Sequence, residues 1–551
     1  MEDEVVRENK VIIAQMDEVV RQNKAIIAQK DEIERRYRTA VAEAEALRRS
    51  IETIRKSVSW RASMPIRAAG RVVRMLAGQS LREAGSVLTA ALPKRNIPDG
   101  AGASPVGQSG RGVAILTRLP FFDPDEYRKV NAEVAHADPL EHYWNFGRAE
   151  CRSFISSIGA ARVIARYNHC VDAKVRFPYL DRAQTPEVSL CTHLRVALLT
   201  GSRGNYYMDE IADHIAHGLR DLRVTAIRSN ETFQDLDAVD YVIIIAPHEF
   251  FRPETPELTP EFWKTALSSP KVSVLNTEQL QTPYFARSLP YILQAKKVID
   301  LNYQMAAMFQ DAGLDTLYYL PGYIENSTSY PQLPELPRHP LTEGLPKAVW
   351  DYSLDRDDLA ERPIDITFVG KASPIRNEFL AGNNIFFAPR LCQINYRQRN
   401  ELMPSGSFTA EMPCLNSAIA RRSKIVLNIH RDGVGYFEWM RVVCQGIWQK
   451  AVVVSNPCLA HPIFKPGTHF FEESLSRIPK LLAWLLDTEE GRAEADRVRR
   501  AGFETLVKHC PLRASTVALL GFLQAEPARG PGFGLPAQVN SAWNWGQRDA
   551  T

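Results

Sequence analysis

The residues with the densest chemical promise lie between Lys424 and Gly446, where a run from Ile425 to Ile429, a loop Asp432-Gly-Val-Gly435 and the stretch Tyr436-Phe-Glu-Trp-Met-Arg441 read as strand, glycine loop and helix. Gly433 and Gly435 free the backbone to approach a ligand. A helix starting near Tyr436 would aim unpaired N–H groups and a positive dipole end at the same place, which suits a diphosphate. Glu438 and Arg441 share a helical face by spacing. The carboxylate can accept from ribose hydroxyls, and the guanidinium can clasp phosphate through its planar fork. Spacing alone would be satisfied by a surface ion pair, but His430 at the strand end and the two glycines favour a binding site. The next apolar strand, Ala451 to Asn456, brings Ser455 to the same crevice.

A second candidate loop is Phe368-Val-Gly-Lys-Ala-Ser-Pro-Ile-Arg376, in which Gly370, Lys371, Ser373 and Arg376 are suited to an anion. Further toward the N-terminus, Thr200-Gly-Ser-Arg-Gly-Asn205 follows a strand, and Gly201 and Asn205 are candidates for sugar or phosphate contacts, on a glycine signal that is weak by itself. Two strand ends there carry acids, His248-Glu249 and Glu278-Gln279. Either Glu249 or Glu278 could deprotonate an acceptor hydroxyl, with Glu278 preferred, while simple capping of the following helix is the competing role for each. His430 is a third catalytic candidate. No dense His, Cys, Asp or Glu cluster suggests a metal, and Asp123-Pro-Asp125 belongs to a helical segment, so metal-free chemistry without a cofactor is expected.

Positioning these residues requires parallel sheets. Strands are expected at Leu194 to Leu199, Tyr241 to Ala246, Val272 to Leu275 and Leu317 to Leu320, then at Ile364 to Val369, Asn384 to Phe387, Ile425 to Ile429 and Ala451 to Val454. Alternation with helical stretches gives an α/β fold of two Rossmann-like domains meeting in the Pro-rich stretch from Tyr330 to about Lys347, with substrate between them. The expected domains are residues 191–335 and 336–525, followed by a flexible tail, 526–551.

Upstream, Glu4 to Gln15 recurs at Glu18 to Gln29, an offset of two heptads. Val5, Ile12, Val19, Ile26, Ile33, Ala40, Leu47 and Ile54 form a d series, with Asn9 and Asn23 at a, predicting a coiled coil over 1–58 and a homo-oligomer. Residues 59–92 are basic and amphipathic, with Trp60, Arg67, Arg71 and Arg74 suited either to an anionic lipid surface or to docking on the next domain. A Gly/Pro/Ser-rich linker, 93–112, precedes a small helical module, 113–190, in which His142 sits among aromatics and is read as a packing residue.

With 45% hydrophobic and 24% charged residues the chain of 551 is globular, and a net charge of +3 argues against a nucleic-acid partner. The first thirty residues mix charge with apolar residues, and no apolar run approaches the roughly 20 residues of a membrane span, so a cytoplasmic protein with at most peripheral contact at the inner membrane is expected. Eight scattered cysteines fit a reducing compartment.

Several of these strings carry a family resemblance. Ser57-Val-Ser-Trp-Arg-Ala-Ser-Met-Pro-Ile-Arg67 resembles a segment of bacterial surface-polysaccharide glycosyltransferases. The Phe122-Asp123 and Asp138-Pro-Leu-Glu-His-Tyr143 strings resemble a module that accompanies such domains. Asn428 with His430, Glu438 with Arg441, and Val453 to Ser455 resemble the CgeB-like group of GT-B glycosyltransferases. The resemblance implies two Rossmann domains, a nucleotide-sugar donor bound at Gly370, Ser373, Arg376, His430, Gly433, Gly435, Glu438, Arg441 and Ser455, and a glycan or protein acceptor. The pattern of two glutamates eight apart found in many retaining relatives is broken, because the second falls on Met440. A non-catalytic coiled-coil scaffold with a degenerate GT-B domain is the alternative.

Overall fold

Alternating apolar and exposed stretches build two separate parallel sheets. The computed structural model describes residues 112–134, 136–168, 177, 180, 193–252, 261–324, 336–355, 357–397 and 412–526. The expected coiled coil, basic segment and tail lie outside the described residues, as do parts of the module and of the junction at 330–347. All described residues belong to one body, residues 103–551.

The first sheet holds β1 Arg195–Leu199, β2 Thr225–Ser229, β3 Tyr241–Ile245, β4 Val272–Asn276, β5 Lys297–Asp300 and β6 Asp315–Tyr318, in the order β2-β1-β3-β4-β5-β6. Every pairing is parallel. Side chains alternate between faces, as the pleat requires. Val196, Leu198, Ile243 and Ile245 pack under the helix Tyr206–Asp221. Ala197, Leu199, Val242 and Ile244 join a cluster with Trp263, Phe285 and Phe309 on the other face. The upstream helical segment is part of that second layer: Phe121 meets Phe285 at 5.6 Å and Phe309 at 6.1 Å, ring centre to centre. His142 Nδ1 lies 2.9 Å from the Tyr127 hydroxyl.

The second sheet is β7 Ile364–Lys371, β8 Cys392–Arg397, β9 Ser423–Asn428, β10 Val452–Ser455 and β11 Phe471–Glu472, ordered β11-β10-β9-β7-β8, again parallel throughout. Both sheets are therefore Rossmann-like, as an α/β chain of this pattern should be.

Two expectations need correcting. Asn384–Phe387 is a short helix, and the strand is Cys392–Arg397, where Cys392, Ile394 and Tyr396 turn to the core at every second residue. An apolar run of four cannot by itself distinguish the two. In addition, the last helix, Leu512–Gln524, leaves the second unit and places Leu519, Leu520 and Leu523 against the first sheet. Its end is held by the buried Lys297 amine, which donates to the carbonyls of Phe522 and Leu523 at 2.9 and 2.6 Å. A cation at a helix C-terminus is favoured by the carbonyl dipoles there.

Candidate functional site

Strand β9 delivers Asn428, Ile429 and His430 to the C-terminal edge of the second sheet, and β10 delivers Ser455, Asn456 and Pro457 beside them. Asn428 Nδ2 donates to Ser455 Oγ at 2.9 Å, and that hydroxyl donates to the Asn456 carbonyl at 2.7 Å. Ser455 thus uses its hydroxyl within the fold. The His430 amide donates to Asn456 Oδ1 at 2.8 Å, and its Nε2 donates to the Pro457 carbonyl at 3.0 Å. That fixes the tautomer. Nδ1 is left as a buried acceptor without a partner among the described residues, and burial holds the imidazole below its ordinary pKa. A neutral ring of this kind accepts a hydrogen bond better than it donates a proton.

The loop after β9 departs from expectation. Tyr436 to Glu438 are not helical; the first turn begins at Trp439, and Met440–Ile447 form a wide, π-type helix. Phe437 explains the delay, because it is drawn out of any helix to pack against His461 at 4.2 Å and Phe464 at 6.2 Å. Gly435 is required where it stands, since a Cβ would come within 2.5 Å of the Pro457 carbonyl oxygen. Gly433 is exposed, with open space around it.

Glu438 therefore precedes the helix, and Arg441 lies in its first turn. Their side chains pair at 2.8 Å with only 15% and 14% exposure. They are not a solvated surface pair. Arg441 Nη1 also donates to Asn428 Oδ1 at 3.2 Å and to the Ile429 carbonyl at 3.4 Å. The same carbonyl accepts from Arg376 Nε at 2.8 Å.

Arg376 is 2% exposed and sits in the helix Pro374–Gly382 that follows β7, and its Nη1 donates to the Lys371 carbonyl at 2.9 Å. Ser373 Oγ caps that helix by accepting from the Arg376 amide at 3.4 Å. Gly370 packs tightly beneath, where a Cβ would meet the Phe368 ring at 2.7 Å and Arg376 Nη1 at 3.1 Å. Both guanidinium groups lie over the Phe368 ring, at 5.6 and 5.9 Å from its centre. Burial, then the Arg441 charge, lowers the Arg376 pKa to about 10, with Glu438 opposing. Two cations thus share one carboxylate, and Glu438 Oε2 is buried without a donor among the described residues.

The first sheet presents acids at the corresponding edge. Asn205 caps the helix Tyr206–Asp221, and its amide donates to Glu249 Oε2 at 2.7 Å. Gly201 lies against the Glu249 backbone, so the glycine loop is wrapped around that residue. Glu249 is also 3.7 Å from Arg252 and 3.9 Å from His248 Nε2. Glu278 keeps 19% of its side chain open and lies 3.5 Å from His248 Nε2. Thr282 Oγ1 donates to Glu278 Oε2 at 3.1 Å. Burial pushes the Glu278 carboxyl up to about 7, with the Thr282 bond opposing and the Glu249 charge adding to the rise. Burial likewise raises Glu249.

Sequence reasoning missed the groups that set the Glu278 turn. Asn276 Nδ2 donates to the Glu278 carbonyl at 2.8 Å and to Asp300 Oδ2 at 2.9 Å. Asp300, pushed up to about 8 by burial, also accepts from the Asn302 amide at 2.7 Å. The detectable signal was position: both Asn276 and Asp300 end a strand.

The two edges meet. Gln281 Nε2 donates to Asp432 Oδ1 at 3.5 Å, and Gln279 bonds the Tyr436 side chain. Val434, from the glycine loop of the second unit, is 8% exposed inside the first unit's core cluster. Deeper in, His461 Nδ1 accepts from the Ile463 and Phe464 amides at 3.1 Å, so its Nε2 donates to Tyr318 Oη at 2.9 Å. Glu278, after β4, and the cations beside β9 therefore stand on edges of the two sheets whose loops touch. A cavity of about 550 Å³ opens at the other end of the second sheet, among Lys424, Ile425, Val452 and Leu485, away from these groups. Among the described residues no three His, Cys, Asp or Glu side chains gather as a metal-binding group, and no helix is long and apolar enough to cross a membrane.

No protein-family model and no curated protein sequence matches the chain. Solved structures align with part of it at low similarity. The Anabaena protein HepE, determined in complex with UDP and glucose, aligns with 9% identity over 60% of this chain and 99% of its own, at a TM-score of 0.37. An α1,3-fucosyltransferase with GDP-fucose aligns at 12% identity, 64% and 97% coverage and a TM-score of 0.36. OtsA gives 12%, 61%, 99% and 0.34 in the same order. At these scores the crevice has to be read from its own residues.

Proposed function

We propose that the chain is a metal-independent glycosyltransferase that takes a sugar from a nucleotide-sugar held at the second sheet and passes it to a hydroxyl of a glycan or protein held against the first. The carrying observation is the pair of buried guanidiniums, Arg376 and Arg441, hydrogen-bonded to one carbonyl and balanced by a single carboxylate. Buried charge without a counter-ion is costly, and a diphosphate supplies the missing one. Glu438 Oε2 and His430 Nδ1, both lacking donors among the described residues, are suited to ribose or sugar hydroxyls.

In this reading Arg441 and Arg376 stabilise the charge that develops on the departing diphosphate. Glu278 takes the acceptor proton. A carboxyl titrating near neutrality is a far better base than an ordinary one, and Glu278 belongs to the turn whose Gln279 and Gln281 reach the second unit. Glu249 is tied to the Asn205 amide and serves the loop. The heptads from Val5 to Ile54 would join copies of the enzyme, and the basic segment after them would bring it to an anionic membrane face. A scaffold with a degenerate domain is the rival. Nucleotide release from UDP-, GDP- and dTDP-sugars by the full chain tests the proposal: turnover with one of them is expected, and none with any donor would favour the scaffold.

A further inference from the structure

Strand β3 ends in a strained turn. Ala246 is fully buried and holds a left-handed φ of +53°, uncommon outside glycine, and it precedes Pro247, whose ring favours an extended residue before it. Its amide still donates to the Leu275 carbonyl at 2.9 Å, and its carbonyl accepts from the Glu249 and Phe250 amides at 2.8 and 3.1 Å. These bonds lock the reversal. Strain of this kind persists where the surrounding structure fixes it, and it gathers at functional sites. Here it turns the short helix Pro247–Phe250 so that His248 is buried beside Glu278.

The His248 ring lies between the helix Pro283–Gln294 and two carboxylates. Its Nδ1 is 3.5 Å from the hydroxyl of the fully buried Ser288, and its ring centre is 5.4 Å from that of Tyr284. Nε2 is 3.5 Å from Glu278 Oε1 and 3.9 Å from Glu249 Oε1. A lone pair aimed at two acceptors would be repelled, so Nε2 carries the proton and Nδ1 accepts from Ser288. Burial, with the Arg252 and Arg287 charges adding to it, lowers the imidazole to about 3. The contacts are therefore not ion pairs, because a neutral N–H faces both carboxylates. Glu249 already has the Asn205 amide and Arg252. Glu278 has Thr282 on Oε2 and, among the described residues, no other donor to Oε1. Glu249 and Arg431, from the loop after β9, are the charges that act on it.

We infer that His248 is a positioning residue for Glu278: its Nε2–H engages Oε1 when that carboxylate ionises, fixing the anion between two donors, Thr282 and His248, without itself exchanging a proton. At 3.5 Å the contact is long for a hydrogen bond, and ionisation of the acceptor shortens and strengthens such a bond. The donor thus favours the anion over the protonated acid and opposes the rise that burial imposes. Its catalytic meaning rests on the proposed role of Glu278 as the base, whereas its effect on the titration of Glu278 is independent of turnover.

Paired melting curves of the full chain, with and without Glu278→Gln, read that titration. The folded-state pKa is raised, so the parent loses stability relative to its Glu278→Gln partner from about pH 4.5 upward, and the difference stops growing at the folded-state value. In wild type that plateau should begin at about pH 7. With His248→Leu in both chains it should begin about one pH unit higher, and with His248→Gln, whose amide retains a donor, within about 0.3 unit of wild type. A plateau at the same pH in all three backgrounds overturns the assignment and leaves the ring a packing residue. Should His248→Leu fail to fold, ring nitrogen-15 labelling of the wild-type histidines decides. His248 should stay the neutral Nε2–H tautomer from about pH 5 to about pH 9, with its Nε2 signal moving as Glu278 ionises. An Nδ1–H tautomer, or a ring that protonates near an ordinary value of about 6.5, overturns it. Turnover separates the two claims. A Glu278→Gln chain that keeps its rate removes the base and leaves the contact, whereas a lost rate with an unmoved plateau removes the contact alone.

Discussion

The two strand edges that meet in the crevice are built on the same topology and carry opposite electrostatics. At the first sheet, burial raises Glu278 to about 7 and Asp300 to about 8. At the second, burial lowers Arg376 only to about 10. The cause is shared, because removing water penalises whichever form is charged. The consequence differs. A carboxyl answers by keeping its proton near neutral pH and so becomes able to exchange it, whereas a guanidinium stays charged and can be satisfied only by an anion. Under the proposed reading, one edge would exchange a proton and the other would hold a leaving group.

That contrast is broken most severely by substitutions that exchange the chemistry of one edge alone. Glu278→Gln should lower turnover by about 10² to 10⁴ while leaving nucleotide affinity near wild type. Steady-state rates paired with calorimetry would show it; retained turnover would move the base to another group. Arg441→Ala should do the reverse at the binding step. Losing a charge-assisted hydrogen bond worth roughly 1.5 to 3 kcal/mol weakens nucleoside-diphosphate binding about ten-fold to a hundred-fold. A well-folded variant with unchanged affinity would remove the donor from this helix. Glu438→Gln should be milder, with roughly a several-fold loss for the nucleoside diphosphate and little for inorganic diphosphate, if its carboxylate holds ribose.

The uneven legibility of the sequence follows from the same physics. Tyr241-Val-Ile-Ile-Ile245 and Ile425 to Asn428 announce buried parallel strands through uninterrupted apolar runs. β5 escaped notice because Lys297 and Asp300 bracket two apolar residues, and only the structure reveals their partners, the carbonyls of the last helix and the Asn276 amide. β2 lies at the edge and is half open to solvent, which leaves its pattern weak. Residue types near strand ends were legible as positions: His430 follows β9, Arg376 lies in the helix after β7, Glu249 and Glu278 follow β3 and β4, and Glu438 pairs with Arg441. What spacing could not distinguish was a ligand-facing group from a fold-holding one. Ser373 and Ser455 resemble Glu438 in being polar and well placed, yet the Ser455 hydroxyl donates to a main-chain carbonyl and that of Ser373 caps a helix by accepting from an amide. The helix start was misplaced because Phe437 answers to an aromatic cluster drawn from distant parts of the chain.

The smallest expected effect concerns stability. The Glu278 carboxyl titrates at about 7 in the folded chain against an ordinary 4.5. Between those values the folded state holds a proton that the unfolded state has lost, so its contribution to stability is complete below about 4.5 and disappears as pH rises through about 7. Glutamine keeps the neutral shape at every pH. Glu278→Gln should therefore melt like wild type near pH 4.5 and become the more stable protein by pH 8, by on the order of 1 kcal/mol given its partial exposure. Asp300 carries a similar shift in both proteins, so the difference between their melting curves isolates Glu278. The gain at pH 8 should accompany the loss of turnover, the signature of a group kept at a cost to the fold for the sake of its chemistry. If the two melting temperatures instead stay parallel from pH 5 to pH 8, Glu278 titrates as an ordinary carboxylate, and the contrast between the two edges loses its proton-exchanging half.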